Sequence, residues 1–417
     1  MIKKPSIDQL EKWCSLGILV SCLGFAFPIT RSLHELTIWV CCVIPAVLLI
    51  RKKSLALFFK NRLFLAGTIF LVYFSISALW SDNLSFRTIR RSFELLITPF
   101  FALLAGAWGI KRHSDLEKGI HWFLPLASIG AICSLIFFYL HHTFPITRFQ
   151  HYYNTESNAV HSSWFMGFAT ILSASFFLQT RPTKTRWGFC ALSAFSLFFM
   201  ATLYTHTRST IISLFGAATL FLFSGKKNTK KLITLSAVAT ISIGIYIASL
   251  HFASDIMEWT STVTSPPSSK LGSVRPRGVW CNNPANANIR ISTWKELVNS
   301  MSSKEFVFGK GLEAKYKFST KINHPHSGYI WALYHGGLVG LLLFLYLLVE
   351  AFIAAIKTGK SAYIPAHLLF FGCLIYLMDG KSLVSKLRYD WLLAWIPIIL
   401  ITGLSYNSMS KRKGIAD

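Results

Sequence analysis

A chain of 417 residues that is 53% hydrophobic and only 14% charged has too few charges and too many unbroken apolar runs for a soluble protein. Its net charge of +25 comes without a basic face organised around stacking aromatics. That charge therefore excludes nucleic acid as a partner and reports membrane orientation and anionic headgroups instead. Apolar windows of about 17–25 residues, each enough to cross roughly 30 Å of hydrocarbon, recur from end to end. The fold class that follows is all-α, a polytopic integral membrane protein.

Twelve helices are expected in chain order, near residues 13–29, 33–50, 62–80, 92–110, 119–140, 160–179, 187–204, 209–224, 232–251, 328–356, 362–378 and 389–406. After the first run, Trp13 to Ile29, another span follows at once, so it reads as a membrane helix. Cys14, Cys22, Cys41, Cys42, Cys133, Cys190 and Cys373 lie in apolar runs. Only Cys281 lies in a long polar segment, so no disulfide framework is implied.

Lys and Arg set the orientation. With the N-terminus in the cytoplasm, 23 of the 42 basic residues fall in short inside connections and tails, against nine in short outside ones. Both termini are then cytoplasmic, and in a Gram-negative cell, where the membrane would be the inner one, the opposite face is the periplasm. The chain divides into helices one to nine over 1–251, a large periplasmic loop over 252–327, and helices ten to twelve with a cytoplasmic tail over 328–417. A transporter made of two related six-helix halves is disfavoured. The link between helices six and seven is only "RPTKTR", and the long insertion falls after helix nine.

The unusual residues gather on the outer face. His326 directly precedes Ser327, a good N-cap for helix ten. The positive end of a helix keeps a nearby imidazole neutral, the form a general base needs. His324 lies two residues earlier, as an orienting group or an ordinary loop residue. Within the loop, Trp294, Leu297, Val298 and Met301 form a helical stripe that would lie on the membrane or on the bundle, and Arg290 falls on the same face. An unpaired arginine aimed at an apolar contact is costly, so it either snorkels or holds a phosphate. Arg208 begins helix eight at its outer end, before the small residues Ser213, Gly216, Ala217 and Ala218. Arg87, Arg90 and Arg91 share a helical face and suit lipid phosphates, of a substrate or of the bilayer.

No outer segment has paired carboxylates for a hard metal, and Asp379 and Asp390 are isolated in sequence. "HPH" alone is thin support for zinc. Walker A, Rossmann and GxSxG patterns are missing too. The expected chemistry uses an activated substrate, with neither metal nor cofactor.

Three motifs, "THTRSTI", "IRISTW" followed by "FVFGKG", and "HPHSGYIWALYHGGLVGLL", resemble those of the O-antigen ligase and polymerase superfamily of integral-membrane glycosyltransferases. The resemblance runs over the whole twelve-helix layout, is sharpest from about residue 200 to 345, and is nearest to the ligase branch. Where the family often has Asn after the key histidine, this chain has Ser327. The resemblance implies a GT-C-like membrane enzyme that moves polysaccharide from undecaprenyl diphosphate to a sugar hydroxyl of lipid A-core. In that reading His326 is the base, Arg208 and Arg290 hold the diphosphate, and the anomeric centre inverts. It leaves open an O-antigen polymerase and a protein O-oligosaccharyltransferase. A lipid-linked glycan flippase or exporter would want charges deep within several helices, and few are found mid-span.

Overall fold

A computed structural model describes residues 5–27, 31–50, 55–110, 113–151, 158–180, 185–224, 229–263, 285–316, 324–380, 382–385 and 387–412. Cys281 lies outside the described residues. The principal helices are α1 (Ile7–Leu23), α2 (Arg31–Ile38), α3 (Ile44–Ile50), α4 (Arg62–Ser77), α5 (Phe86–Gly109), α6 (His113–His141), α7 (Ala159–Gln179), α8 (Thr185–Tyr204), α9 (Arg208–Ser224), α10 (Thr229–Val263), α11 (Ala285–Asn299), α12 (Ser303–Phe308), α13 (Gly328–Thr358), α14 (Tyr363–Met378), α15 (Asp390–Leu393) and α16 (Trp395–Arg412). No strand occurs among the described residues. Among the described residues, seven stretches are long and apolar enough to cross a membrane, one of them covering both α13 and α14. The protein is an all-α, multi-pass membrane protein.

The described residues of the twelve expected spans are largely helical, and the differences lie at ends and at two internal interruptions. α5 begins at Phe86 instead of 92, because Ser85 caps the N–H of Thr88 and lets polar turns precede the apolar run. α10 continues to Val263, beyond the expected end at 251. Extending a formed helix by a residue is far easier than nucleating one, so helix outruns the apolar window. The last span breaks at Ala394, whose φ of −127° separates α15 from α16. Between α2 and α3 the chain forms a π turn over Trp39–Val43, with the Ile44 N–H on the Trp39 carbonyl. Pro45, next in line, has no N–H to continue the regular ladder.

The chain forms two compact units. One comprises residues 1–25, 29–123 and 285–417; the other comprises 26–28 and 124–284. In the first, α4 packs on α13, and α16 packs on α5. An aromatic core of Phe64, Phe70, Phe74, Trp108, Trp391 and Trp395 fills the space between them. Asn407 donates to the carbonyls of Ala107 and Ile110, tying α16 to the end of α5. In the second unit α7 and α8 form the tightest pair, with α9 and α10 packed alongside.

α13 is kinked at Gly337, where φ is +64°. A kink deprives the carbonyls one turn earlier of the N–H groups four residues on. Here each of them takes an outside donor. The Lys310 N–H reaches the Tyr334 carbonyl at 2.9 Å, the Gly311 N–H reaches that of His335 at 3.0 Å, and the Tyr73 hydroxyl reaches that of Gly336 at 2.7 Å. The "FGKG" segment is therefore the stitch that holds the kink. It passes so close that a Cβ on Gly309 would lie 2.2 Å from the His335 carbonyl oxygen. Gly309→Ala is expected to destabilise the protein by about 3 kcal/mol or more, from its φ of +80° and the backbone clash together. Gly244, in α10, meets nothing within 4 Å, and its replacement by Ala is expected to raise stability by roughly 0.5–1 kcal/mol. Paired thermal unfolding in detergent reads both signs.

Candidate active site

The first unit gathers its unusual polar residues where three elements meet: α11, the mouth of α13, and the turn after α14. Ser327 is the N-cap of α13, its hydroxyl accepting from the Ile330 N–H and donating to the Tyr376 carbonyl at 3.1 Å. Just before it, His326 sits at φ +51°. A non-glycine residue in this left-handed region costs about 1 kcal/mol or more, and such residues concentrate at functional sites.

What holds His326 is Asp379. The carboxylate Oδ1 lies 3.2 Å from His326 Nδ1 and also accepts the Gly380 N–H at 3.1 Å. The Asp379 side chain is 6% exposed, whereas that of His326 is 31% exposed. Burial alone would raise the Asp379 pKa. The hydrogen bond from His326, the charges of His326 and Arg290, and the Gly380 N–H outweigh it and hold the acid below its ordinary range. With Nδ1 donating to a carboxylate, the lone pair sits on Nε2. This is an acid-oriented imidazole, the arrangement of a general base.

α11 clamps the two halves of the pair. Arg290 donates to the Met378 carbonyl, next to Asp379. One turn later, the Trp294 indole N–H donates to the Pro325 carbonyl at 2.6 Å, next to His326. Leu297 and Met301 continue the stripe onto Tyr334, Ala314 and Ile330, so the amphipathic face packs on the bundle. Of the two fates expected for Arg290, snorkelling or phosphate, the structure adds a third: it braces the turn that carries the acid.

His324 lies against His326, with ring centroids 3.9 Å apart and ring planes tilted by 40°. Ligand-capable atoms of His324, His326 and Asp379 all lie within 4.8 Å of one another, spacing that also suits a metal ion. The donor set of two imidazoles and one carboxylate therefore fits zinc as well as acid–base chemistry. Arg87, Arg90 and Arg91 occupy the first turns of α5, all exposed. Arg90 pairs with Glu94 at 3.0 Å, and Arg91 with Glu313 at 2.9 Å.

Arg208 belongs to the second unit, exposed at the start of α9. The turn before it is fixed by Arg148, which donates to the Thr205 carbonyl at 3.0 Å and to the Thr207 hydroxyl at 3.2 Å. His206, also at positive φ, has its Nδ1 2.8 Å from the Tyr246 hydroxyl. Among the described residues, the structure thus joins His326, His324 and Arg290 within one unit and presents Arg208 in the other.

Sequence reasoning missed Asp379 and Arg148. The signal for Asp379 was a solitary acid, followed by glycine, closing an otherwise apolar helix; nothing in the sequence distinguishes Arg148 from other loop arginines.

Fold and site together define a multi-pass helical membrane protein with an acid–imidazole pair at a helix mouth. A profile of the O-antigen ligase family matches residues 192–345, a span containing Arg208, Arg290 and His326. The chain is also 22% identical over 406 residues to an O-antigen ligase of Pseudomonas aeruginosa, covering 95% of this chain and 91% of that protein. Both likenesses are to O-antigen ligases.

Proposed function

We propose that this protein joins a polysaccharide carried on undecaprenyl diphosphate to a sugar hydroxyl of lipid A-core, at the periplasmic face of the bacterial inner membrane. The observation that carries the mechanism is the His326–Asp379 hydrogen bond, which leaves Nε2 as the accepting nitrogen. His326 takes the proton of the acceptor hydroxyl as its oxygen bonds to the anomeric carbon of the donor. The bond from that carbon to the diphosphate oxygen breaks, its electron pair leaves with undecaprenyl diphosphate, and in-line attack inverts the centre. Asp379 stabilises the imidazolium that forms. Arg290 and Arg208 meet charge growing on the leaving group. A diphosphate leaves readily, so the reaction asks for neither a strong general acid nor a metal.

Lipopolysaccharide from a host deleted for this gene tests the reading. Bare lipid A-core with accumulated lipid-linked polysaccharide is expected. Core capped by one repeat would make the protein a polymerase, and an unchanged ladder would move it to protein acceptors or to transport.

Arg290→Ala is expected to lower transfer by about 10²–10³ and Arg208→Ala by a similar factor, the loss typical of one preorganised donor to a developing anion. Lysine at either position restores part of it, as a point charge without the planar fork. Full activity in both alanine variants would remove the arginine clamp. Transfer by the purified protein is expected to persist in EDTA. Activity lost on chelation and regained with Zn²⁺ would instead make His324, His326 and Asp379 ligands.

A further inference from the structure

Beside the His326–Asp379 pair the first unit holds a cavity of about 180 Å³ that the transfer chemistry above leaves unused. His324 lines it. Since the His324 ring centroid is 3.9 Å from that of His326, the cavity lies one ring away from the base.

Its walls are built from separate parts of the chain. Arg91 enters from α5, Arg388 from the segment between α14 and α15, and Ser382 and Ser385 from the same segment as Arg388. Glu313 fixes Arg91 at 2.9 Å. Glu313 itself sits at φ +69°, and Asn83 holds that strained backbone by donating to its carbonyl at 3.1 Å. The floor is rigid and aromatic. Trp331 is stacked on Phe74, and the Tyr316 hydroxyl lies 2.9 Å from His335 Nε2.

Two guanidinium groups, two hydroxyls and a carboxylate over a fixed aromatic floor suit a sugar ring bearing an anionic group. The group that meets the base is the acceptor hydroxyl, so the volume beside the base belongs to the remainder of the acceptor. We propose that this cavity is an acceptor subsite for an acidic sugar, its phosphate or carboxylate held by Arg91 and Arg388. This rests on the transferase reading given above, and it assigns Arg388 and Arg91 to acceptor selection rather than to the donor diphosphate.

The test is steady-state transfer by the full-length protein in detergent, with O-antigen-free lipopolysaccharide as acceptor in three forms. One is intact, one is dephosphorylated with hydrofluoric acid, and one has its carboxylates converted to amides. Wild type is expected to show an acceptor KM at least tenfold higher for one of the two neutralised forms, which identifies the anion. Arg388→Ala is expected to raise the acceptor KM for the intact form by a similar factor, leave the donor KM unchanged, and abolish the discrimination between forms. Arg388→Lys should recover part of the preference. Equal KM values of wild type for all three forms would overturn the subsite while leaving the transferase reading in place. A rise in donor KM instead of acceptor KM in Arg388→Ala would overturn it by giving the anion to the donor. Wild type that transfers to none of the three forms would overturn the transferase reading, and the subsite with it. The comparison of acceptors in wild type requires no variant to fold.

Discussion

Replacing His326 is expected to cut transfer severely while folded protein remains in the membrane. The expected loss is about 10²–10⁴, the contribution of a positioned general base. Alanine is an imperfect probe at this position, because His326 sits at φ +51° and an alanine there keeps the backbone strain while losing the bond to Asp379. Asparagine tolerates the left-handed region better and has no basic nitrogen. Both variants should be inactive, with His326→Asn melting nearer to wild type. Measured rates combined with thermal unfolding separate the two effects. An asparagine variant retaining near-normal turnover would remove His326 from proton transfer and leave it a structural residue at the mouth of α13.

The parts of this fold that were legible in the sequence are those set by local chain properties. An apolar run long enough to cross hydrocarbon is visible in a window of twenty residues, and the described residues of the expected spans are largely helical. The cap at Ser327 was readable for the same reason, since a serine before an apolar run needs no distant partner. Helix ends were less legible. α5 and α10 extend past their apolar stretches, where capping and helix propagation decide instead of hydropathy.

The site divides in the same way. His326 could be singled out from its place before a cap. Its partner could not, because Asp379 lies 53 residues further on and becomes a neighbour only when α14 packs back on α13. The role of the "FGKG" glycines was equally hidden. Their positive φ angles serve the kink at Gly337 in α13, an element further along the chain. Arg290 was placed correctly on the inward face of α11, but its partner there is the Met378 carbonyl, and periodicity cannot identify a backbone acceptor on another helix.

Asp379 offers the sharpest separation of charge from geometry. In an acid–imidazole pair the carboxylate does two things: it fixes the tautomer, and its charge stabilises the imidazolium. Asparagine normally confuses the two, because its amide nitrogen can turn toward the ring and leave the proton on the wrong imidazole nitrogen, a change worth about 10⁴ in a serine protease. Here that rotation is opposed. The Gly380 N–H donates to the same Oδ1 that accepts from His326, so a nitrogen placed there would face two N–H donors. Asp379→Asn should keep its oxygen in position and preserve the tautomer, losing only the charge. Asp379→Ala loses both, and it also leaves the Gly380 N–H without its acceptor in a buried turn. The expected order is therefore wild type, then asparagine about 10²-fold lower, then alanine lower again by a further ~10-fold or more. Rates for the three forms at saturating donor and acceptor give the order directly. An asparagine variant as inactive as alanine would mean that charge, not orientation, is what Asp379 supplies. Wild-type rates in both would detach Asp379 from the chemistry and leave His326 to act unassisted.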